Sequence, residues 1–287
     1  MDWIQGFQRY LINESKSKNT ISTYSLNIRE YLNWFCDTYG VKFTKLYREN
    51  VLDYKSYLLN IRKYKGKSLN GKTVNNKLSS LLCFNEYLVE EKHQEDIVLK
   101  KKDLIKLQSD FVNPCKVTKG QVEQFRQRIL QAEDKRMYAI VTLLAYGGLR
   151  ISEALSVKER DYCLQTKELV VRQGKGKKQR IVYLNSKVIN AIREYLKIRR
   201  DAGEYLFVSR QNDTLDRTVV NRAFKKHSKE VLITPHMLRH FYITNCLETG
   251  LYSLHEIAYQ VGHKDLRNLL IYTNPSVQAM KDKAELL

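Results

Sequence analysis

Helical periodicity marks much of this 287-residue chain, and between Lys106 and Val117, where Pro114 stands, it fails. That break constrains the fold more than any other feature, because the stretch on either side of it is long enough to bury a core of its own. A connection of about ten residues is an ordinary linker length. Just past it, Thr118 and Gln121 have the spacing of a capping box that opens a new helix. The expectation is two domains, residues 1–107 and 118–287, joined by a linker at 108–117.

In the first of these, Ile21, Tyr24, Ile28, Tyr31, Leu32 and Phe35 keep a helical period from Thr20 until Gly40 ends it. A shorter helix carrying Val51, Leu58 and Ile61 follows, and another runs through Val74, Leu78, Leu81, Leu82 and Leu88. Between them, Arg62–Lys77 is rich in lysine and contains no acid. The region reads as a bundle of four or five helices with a basic loop and a helix start on one side. That loop is either a solvated connection or a DNA contact. Asn75 and Asn76 favour the second, since asparagine binds phosphate or reads adenine.

The second domain opens with helices at Val122–Leu130 and Met137–Tyr146, the latter stopped by Gly147-Gly148. Arg150 then begins a short helix with Glu153 one turn on. Leu169–Arg172 and Arg180–Leu184 are β-like runs around Gly174–Lys178, a hairpin with a basic tip. Helices are expected at Lys187–Arg199 and Arg217–Lys229, with the short run Tyr205–Val208 between them. Thr234 can cap a helix whose first residue is Pro235, placing His236 and Arg239 on one face. A further helix, Ile257–Val261, is cut at Gly262; His263 follows, then Tyr272. Two histidines and an arginine brought toward one tyrosine suggest a site for an anionic, phosphate-like group. The fold class is mainly α with a small antiparallel β element.

Charge points the same way. The formal net charge is +19, shared as +6 over residues 1–115 and +13 over 116–287, which suggests a polyanion gripped by both halves like a clamp. No apolar run is long enough to span a bilayer and no signal-peptide pattern precedes Tyr10. The five cysteines form no CxxC pair, so they read as small core residues rather than as metal ligands or disulfides. The glycines around Lys175 lack the phosphate-loop spacing, and no carboxylate cluster is spaced for two-metal catalysis. No metal or cofactor is expected.

The motifs Ala145–Ala154 (AYGGLRISEA), Gly174–Arg180 (GKGKKQR), His236–His240 (HMLRH), Gly262-His263 and Ile271-Tyr272 together resemble those of the tyrosine recombinases of the phage-integrase and Xer type. Small departures are Val261, where leucine is commoner, and Phe241-Tyr242 after the second motif. Asn19–Phe35 and Lys72–Leu88 resemble the family's core-binding domain. The resemblance implies a SAM-like helical core-binding domain and a mixed α+β catalytic domain ending in an exchange helix. It implies a site built from Arg150, Lys175, His236, Arg239, His263 and Tyr272.

In such a site Tyr272 is the nucleophile that forms a 3′-phosphotyrosyl bond, and Arg150 and Arg239 stabilise the phosphate charge. His236 and His263 add hydrogen bonds, and His236 can take the tyrosine proton. Lys175 is the acid for the 5′ oxygen, while Glu153 orients its neighbours or merely sits in a helix's first turn. DNA contacts are expected from Thr20, Tyr24, Lys72, Asn75, Asn76, Lys77, Lys177, Arg180, Arg217, Asn221, Arg222 and Lys225. The stripe Val277, Met280, Ala284 and Leu287 suits a tail that docks on a neighbouring protomer, in a tetramer on two DNA sites with inverted-repeat cores.

The chain has no spare amino-terminal residues for an arm-binding domain. That points to a cytoplasmic, Xer-like or transposon-encoded recombinase such as a cointegrate resolvase. Relaxation of DNA in the manner of a type IB topoisomerase, or architectural DNA binding without catalysis, are the rival readings.

Overall fold

A computed structural model describes residues 2–106, 117–172, 179–200, 203–209 and 214–263, together with 266, 269, 281, 284 and 285. The chain divides into two compact units, Met1–Ser109 and Asp110–Leu287. Lys175, Lys177, Tyr272, the Pro114 stretch and most of the C-terminal stripe lie outside the described residues; Ala284 is described and exposed.

The first unit holds helices α1 (Trp3–Asn13), α2 (Lys18–Tyr39), α3 (Arg48–Asn60) and α4 (Gly71–Glu90). Their apolar faces meet around Phe7, Tyr31, Tyr54 and Phe84, each under 2 % exposed. The ends of α2 follow its sequence: Ser17 caps the start, and Gly40 at φ +67° closes it in the left-handed region that glycine adopts freely. The basic stretch is more ordered than a loop. Strands β1 (Lys63–Tyr64) and β2 (Lys67–Ser68) pair antiparallel through Lys65 and Gly66, both at positive φ. Positive φ at both central residues matches the twist of a two-residue hairpin. Ile61, expected among the apolar positions of α3, is 68 % exposed.

Several residues expected at DNA are engaged inside this unit. Asn75 donates to the Ile105 carbonyl at 2.9 Å and accepts from its N–H at 2.8 Å, tying the chain after α4 to that helix. Lys77 pairs with Glu30 at 2.5 Å, a carboxylate that also takes Arg62 at 3.1 Å. Asn76 accepts from Asn27 at 3.0 Å. Thr20 shares a hydrogen bond with Ser17, and Tyr24 is half-buried against the core. Only Lys72 and Asn76 of this group are exposed.

The second unit is arranged around α6 (Lys135–Gly147), buried on nearly every side from Met137 onward. A helix apolar all round belongs at the centre of its domain. It packs against α5 (Lys119–Ala132), α8 (Ser186–Leu196) and α10 (Pro235–Thr249). Thr118 and Gln121 form the capping box of α5, and Thr234 caps α10 ahead of Pro235. Helices α7 (Ile151–Leu155), α9 (Arg217–His227) and α11 (Leu254–Val261) belong to the same unit. A three-stranded antiparallel sheet runs β3 (Tyr162–Cys163), β4 (Glu168–Arg172), β5 (Gln179–Tyr183), with Glu168 opposite Tyr183 and Arg172 opposite Gln179. Helix α11 starts at Leu254, earlier than its apolar run, because Ser253 and Glu256 cap it reciprocally. Cys83 and Cys246 are core residues as expected, whereas Cys36 is exposed and Cys163 half-buried; Cys115 lies outside the described residues. No helix among the described residues is long and apolar enough to cross a membrane.

The turn that delivers Arg150 depends on Gly148. Its φ is +66°, and a Cβ there would lie 2.4 Å from the Tyr242 ring of α10. At Gly250, φ is +64° but nothing lies within 4 Å. Alanine at either position carries backbone strain of about 1–3 kcal/mol, and only Gly148→Ala adds a clash. Urea unfolding should show the larger loss for Gly148→Ala; equal losses would contradict the close packing.

Candidate active site

Arg150 is the N-cap of α7, and its backbone N–H donates to Glu153 Oε2 at 2.8 Å. The same carboxylate accepts from Arg150 Nη1 at 2.8 Å and from Arg180 Nη1 and Nη2 at 3.1 and 2.8 Å. Arg239 Nη1 lies 3.8 Å away. Burial alone would raise the Glu153 carboxyl's pKa. The Arg180 bonds, the Arg150 N–H and the charges beside it outweigh that, holding it below the usual carboxylate value. A carboxylate accepting several charge-assisted hydrogen bonds stays ionised, and its charge in turn fixes the arginines.

Those arginines reach the end of α11 in order. Arg180 Nε donates to the Gln260 carbonyl at 3.0 Å, Arg239 Nη2 to Val261 at 2.7 Å, and Arg150 Nη2 to Gly262 at 3.3 Å. The last carbonyls of a helix have no partner within it and sit at its negative end, so cations suit them. Arg239 also donates to the Gly148 carbonyl at 2.8 Å, tying the turn before Arg150 into the same cluster. Gly262, at φ +70°, ends α11 and puts His263 directly beyond these carbonyls.

The open side is a cavity of about 380 Å³ lined by Arg150, Arg217, Asn221, His236 and Arg239 with the Thr234-Pro235 turn; among the described residues no carboxylate lines it. Glu153 sits behind the arginines, only 10 % exposed, while the Arg150 side chain is 43 % exposed. His236 and His240, one helical turn apart on α10, bring their Nε2 atoms to 2.6 Å, so one donates and the other accepts. Burial and then the neighbouring charges lower all three histidines: His236 through Arg239 and Arg150, His240 to about 4 through His236 and Arg239, His263 to about 4 through Arg239 and Arg150. His263 Nδ1 is buried without a hydrogen-bond partner among the described residues. The site offers fixed positive charge and neutral imidazoles, an arrangement suited to receiving a phosphodiester.

Of the expected catalytic set, Arg150, His236, Arg239 and His263 come together here. Lys175 and Tyr272 lie outside the described residues, though Leu269, three positions before the tyrosine, packs in the small core of α10 and α11. Of the expected DNA contacts, Arg217 and Asn221 line the same cavity, and Arg222 and Lys225 are exposed on α9. Arg180 is a correction: it is 6 % exposed, and all three guanidinium nitrogens bind protein groups. Its burial depends on Glu153 and Gln260, far away in sequence. His240 is the residue the sequence reading left out, although it stands in the HMLRH motif at helical spacing from His236.

Residues 116–279 match the model of the phage integrase family, more than half of the chain, and residues 4–92 match that of the phage integrase N-terminal SAM-like domain. The chain belongs to the phage integrase family. It is a tyrosine-type site-specific DNA recombinase, an enzyme that cuts DNA strands and rejoins them. The recombinase is 49 % identical to TnP I resolvase of Bacillus thuringiensis over the full length of both chains. It is 32 % identical to tyrosine recombinase XerA of Pyrococcus horikoshii, over 99 % of this chain and 93 % of that one. Its fold is similar to that of the XerH site-specific recombinase in a post-cleavage complex with a palindromic difH substrate, with a TM-score of 0.75 and 19 % identity over 98 % and 94 % of the two chains.

The histidines make stability depend on pH. An unfolded histidine takes up its proton near 6.5, whereas folded His240 and His263 resist protonation down to about 4. Between these values the unfolded chain binds more protons, so stability falls as pH drops through that window. Urea midpoints measured across it should decline for the wild type and decline less for His240→Asn. Parallel curves would mean that His240 is not held neutral.

Proposed function

We propose that the recombinase cleaves DNA by attack of Tyr272 on a phosphodiester held by Arg150, Arg239, His236 and His263. The observation that carries this reading is the cavity where Arg150, Arg239 and His236 converge, with no carboxylate among its described lining residues and Glu153 held behind the arginines. Fixed donors stabilise the charge gathering on the non-bridging oxygens because no reorganisation is needed as it develops. His236, neutral at working pH, is placed to accept the phenol proton, and His240 accepts or donates at its Nε2. Lys175 completes the chemistry by protonating the 5′ oxygen; its support is its place in the GKGKK motif between β4 and β5. The reaction retains the phosphodiester's energy in the tyrosyl bond, so the proposal requires no metal or nucleotide.

Arg217, Asn221, Arg222 and Lys225 give α9 a polar, basic exposed face beside the cavity, which supports DNA contact there. Exchanging both strands of two duplexes takes four cleavages, and each chain has one proposed nucleophile. Four copies on two sites with inverted-repeat cores meet that count, with the C-terminal stripe as the link between protomers. The likeness to TnP I resolvase favours resolution or movement of a mobile element, carried out in the cytoplasm where its DNA lies.

A nicked duplex carrying the site that wild-type protein selects from a randomised pool tests the reading. Wild type should trap a covalent adduct, and Tyr272→Phe should trap none. Arg150→Ala should form it about 10²–10³-fold more slowly, the loss typical of one charge-stabilising donor. Arg222→Ala should instead weaken binding and reduce the salt slope by about one. An adduct on another residue, or full cleavage by Arg150→Ala, would overturn the assignment.

A further inference from the structure

Arg180 is a buried charge that the proposed chemistry does not use. It lies on β5, while the groups it binds lie on α7 and α11. Both terminal nitrogens bind Glu153, whose Oε1 is shared with Arg150 Nη1. Its Nε binds Gln260, two residues before the glycine that precedes His263. Space under that glycine is shaped to the guanidinium: a Cβ at Gly262 would lie 2.7 Å from Arg180 Nη1 and 2.8 Å from its central carbon. Gly262 thus serves two needs, a positive φ and a close approach. Gln260 adds a second tie between α11 and β5, accepting from the Tyr183 N–H at 3.3 Å and donating to the Tyr183 carbonyl at 2.9 Å.

We propose that Arg180 is a positioning residue for DNA cleavage: its guanidinium joins Glu153 to the end of α11 and so holds Arg150 and the turn before His263 in one arrangement. The inference rests on the proposed roles of Arg150 and His263. It differs from a phosphate contact in what it predicts. Arg180 faces inward, so its loss should leave DNA affinity alone and slow the chemical step. A bidentate guanidinium with a third nitrogen on a separate partner is a geometry that lysine cannot reproduce.

The test separates binding from cleavage on the selected nicked duplex, with single-turnover adduct formation measured at saturating protein. Arg180→Met should keep its dissociation constant within about threefold and its salt slope unchanged while cleavage slows by about 10²-fold, the effect of a misplacement near 1 Å. Arg180→Lys keeps a buried positive charge and should recover part of the rate. It also carries the test should the Met variant fail to fold. Gly262→Ala, which displaces the guanidinium without removing any charge, should show the same split between intact binding and slow cleavage. Wild-type cleavage rates in these variants, or losses of cleavage that only match losses of binding, would overturn the proposal. Arg150→Ala run in parallel separates the two levels. If it cleaves normally, the site assignment itself falls. If it is slow while the Arg180 variants are fast, only the positioning role falls.

Discussion

The carboxylate of Glu153 is the interaction on which the site depends. It sits one turn into α7, 10 % exposed, and accepts hydrogen bonds from Arg150 and Arg180 with Arg239 close by. Three guanidinium groups brought together without a counter-charge would repel one another, and a buried carboxylate without cations would take up a proton. Each side makes the other tenable. The result is a cluster whose inner face is neutralised and whose outer face, toward the cavity, presents donors only.

The second constraint is the end of α11. Three successive carbonyls, Gln260, Val261 and Gly262, each accept from a different arginine. This joins the turn after α6, strand β5 and helix α10 to one short helix terminus. His263 follows at once, so the element that anchors the arginines also places the histidine. An exposed helix end would satisfy those carbonyls with water, and nothing would then hold its direction. Built this way, the donors are in place before a phosphate arrives, which is the condition under which electrostatic stabilisation is most effective.

Local signals in the sequence were enough for much of this. The capping box at Thr118 and Gln121, the Thr234-Pro235 start and the glycines at 40, 148 and 262 all mark real helix ends. Their physics lies within a few residues, and so does that of the Arg150–Glu153 turn. The misses come from long-range partners. Arg180 reads as a surface cation until Glu153 and Gln260 are brought to it, and Asn75 as a DNA reader until Ile105 takes both ends of its amide. The β1–β2 hairpin was hidden because strands of two residues leave no period to read. The i, i+4 spacing of His236 and His240 puts both on one helix face, but only their contact shows that the second histidine shares the site.

The central claim, that a buried ionised carboxylate organises the cationic site, can be measured directly. Glutamate labelled with carbon-13 at the carboxyl, with Glu153→Gln used to identify the resonance, gives the titration of this one group by NMR in the full chain. The account predicts that the Glu153 signal remains that of a carboxylate as pH falls past the ordinary glutamate value, and changes only below it. Titration at or above the ordinary value would contradict the account, because the arginines would then lack the charge that holds them.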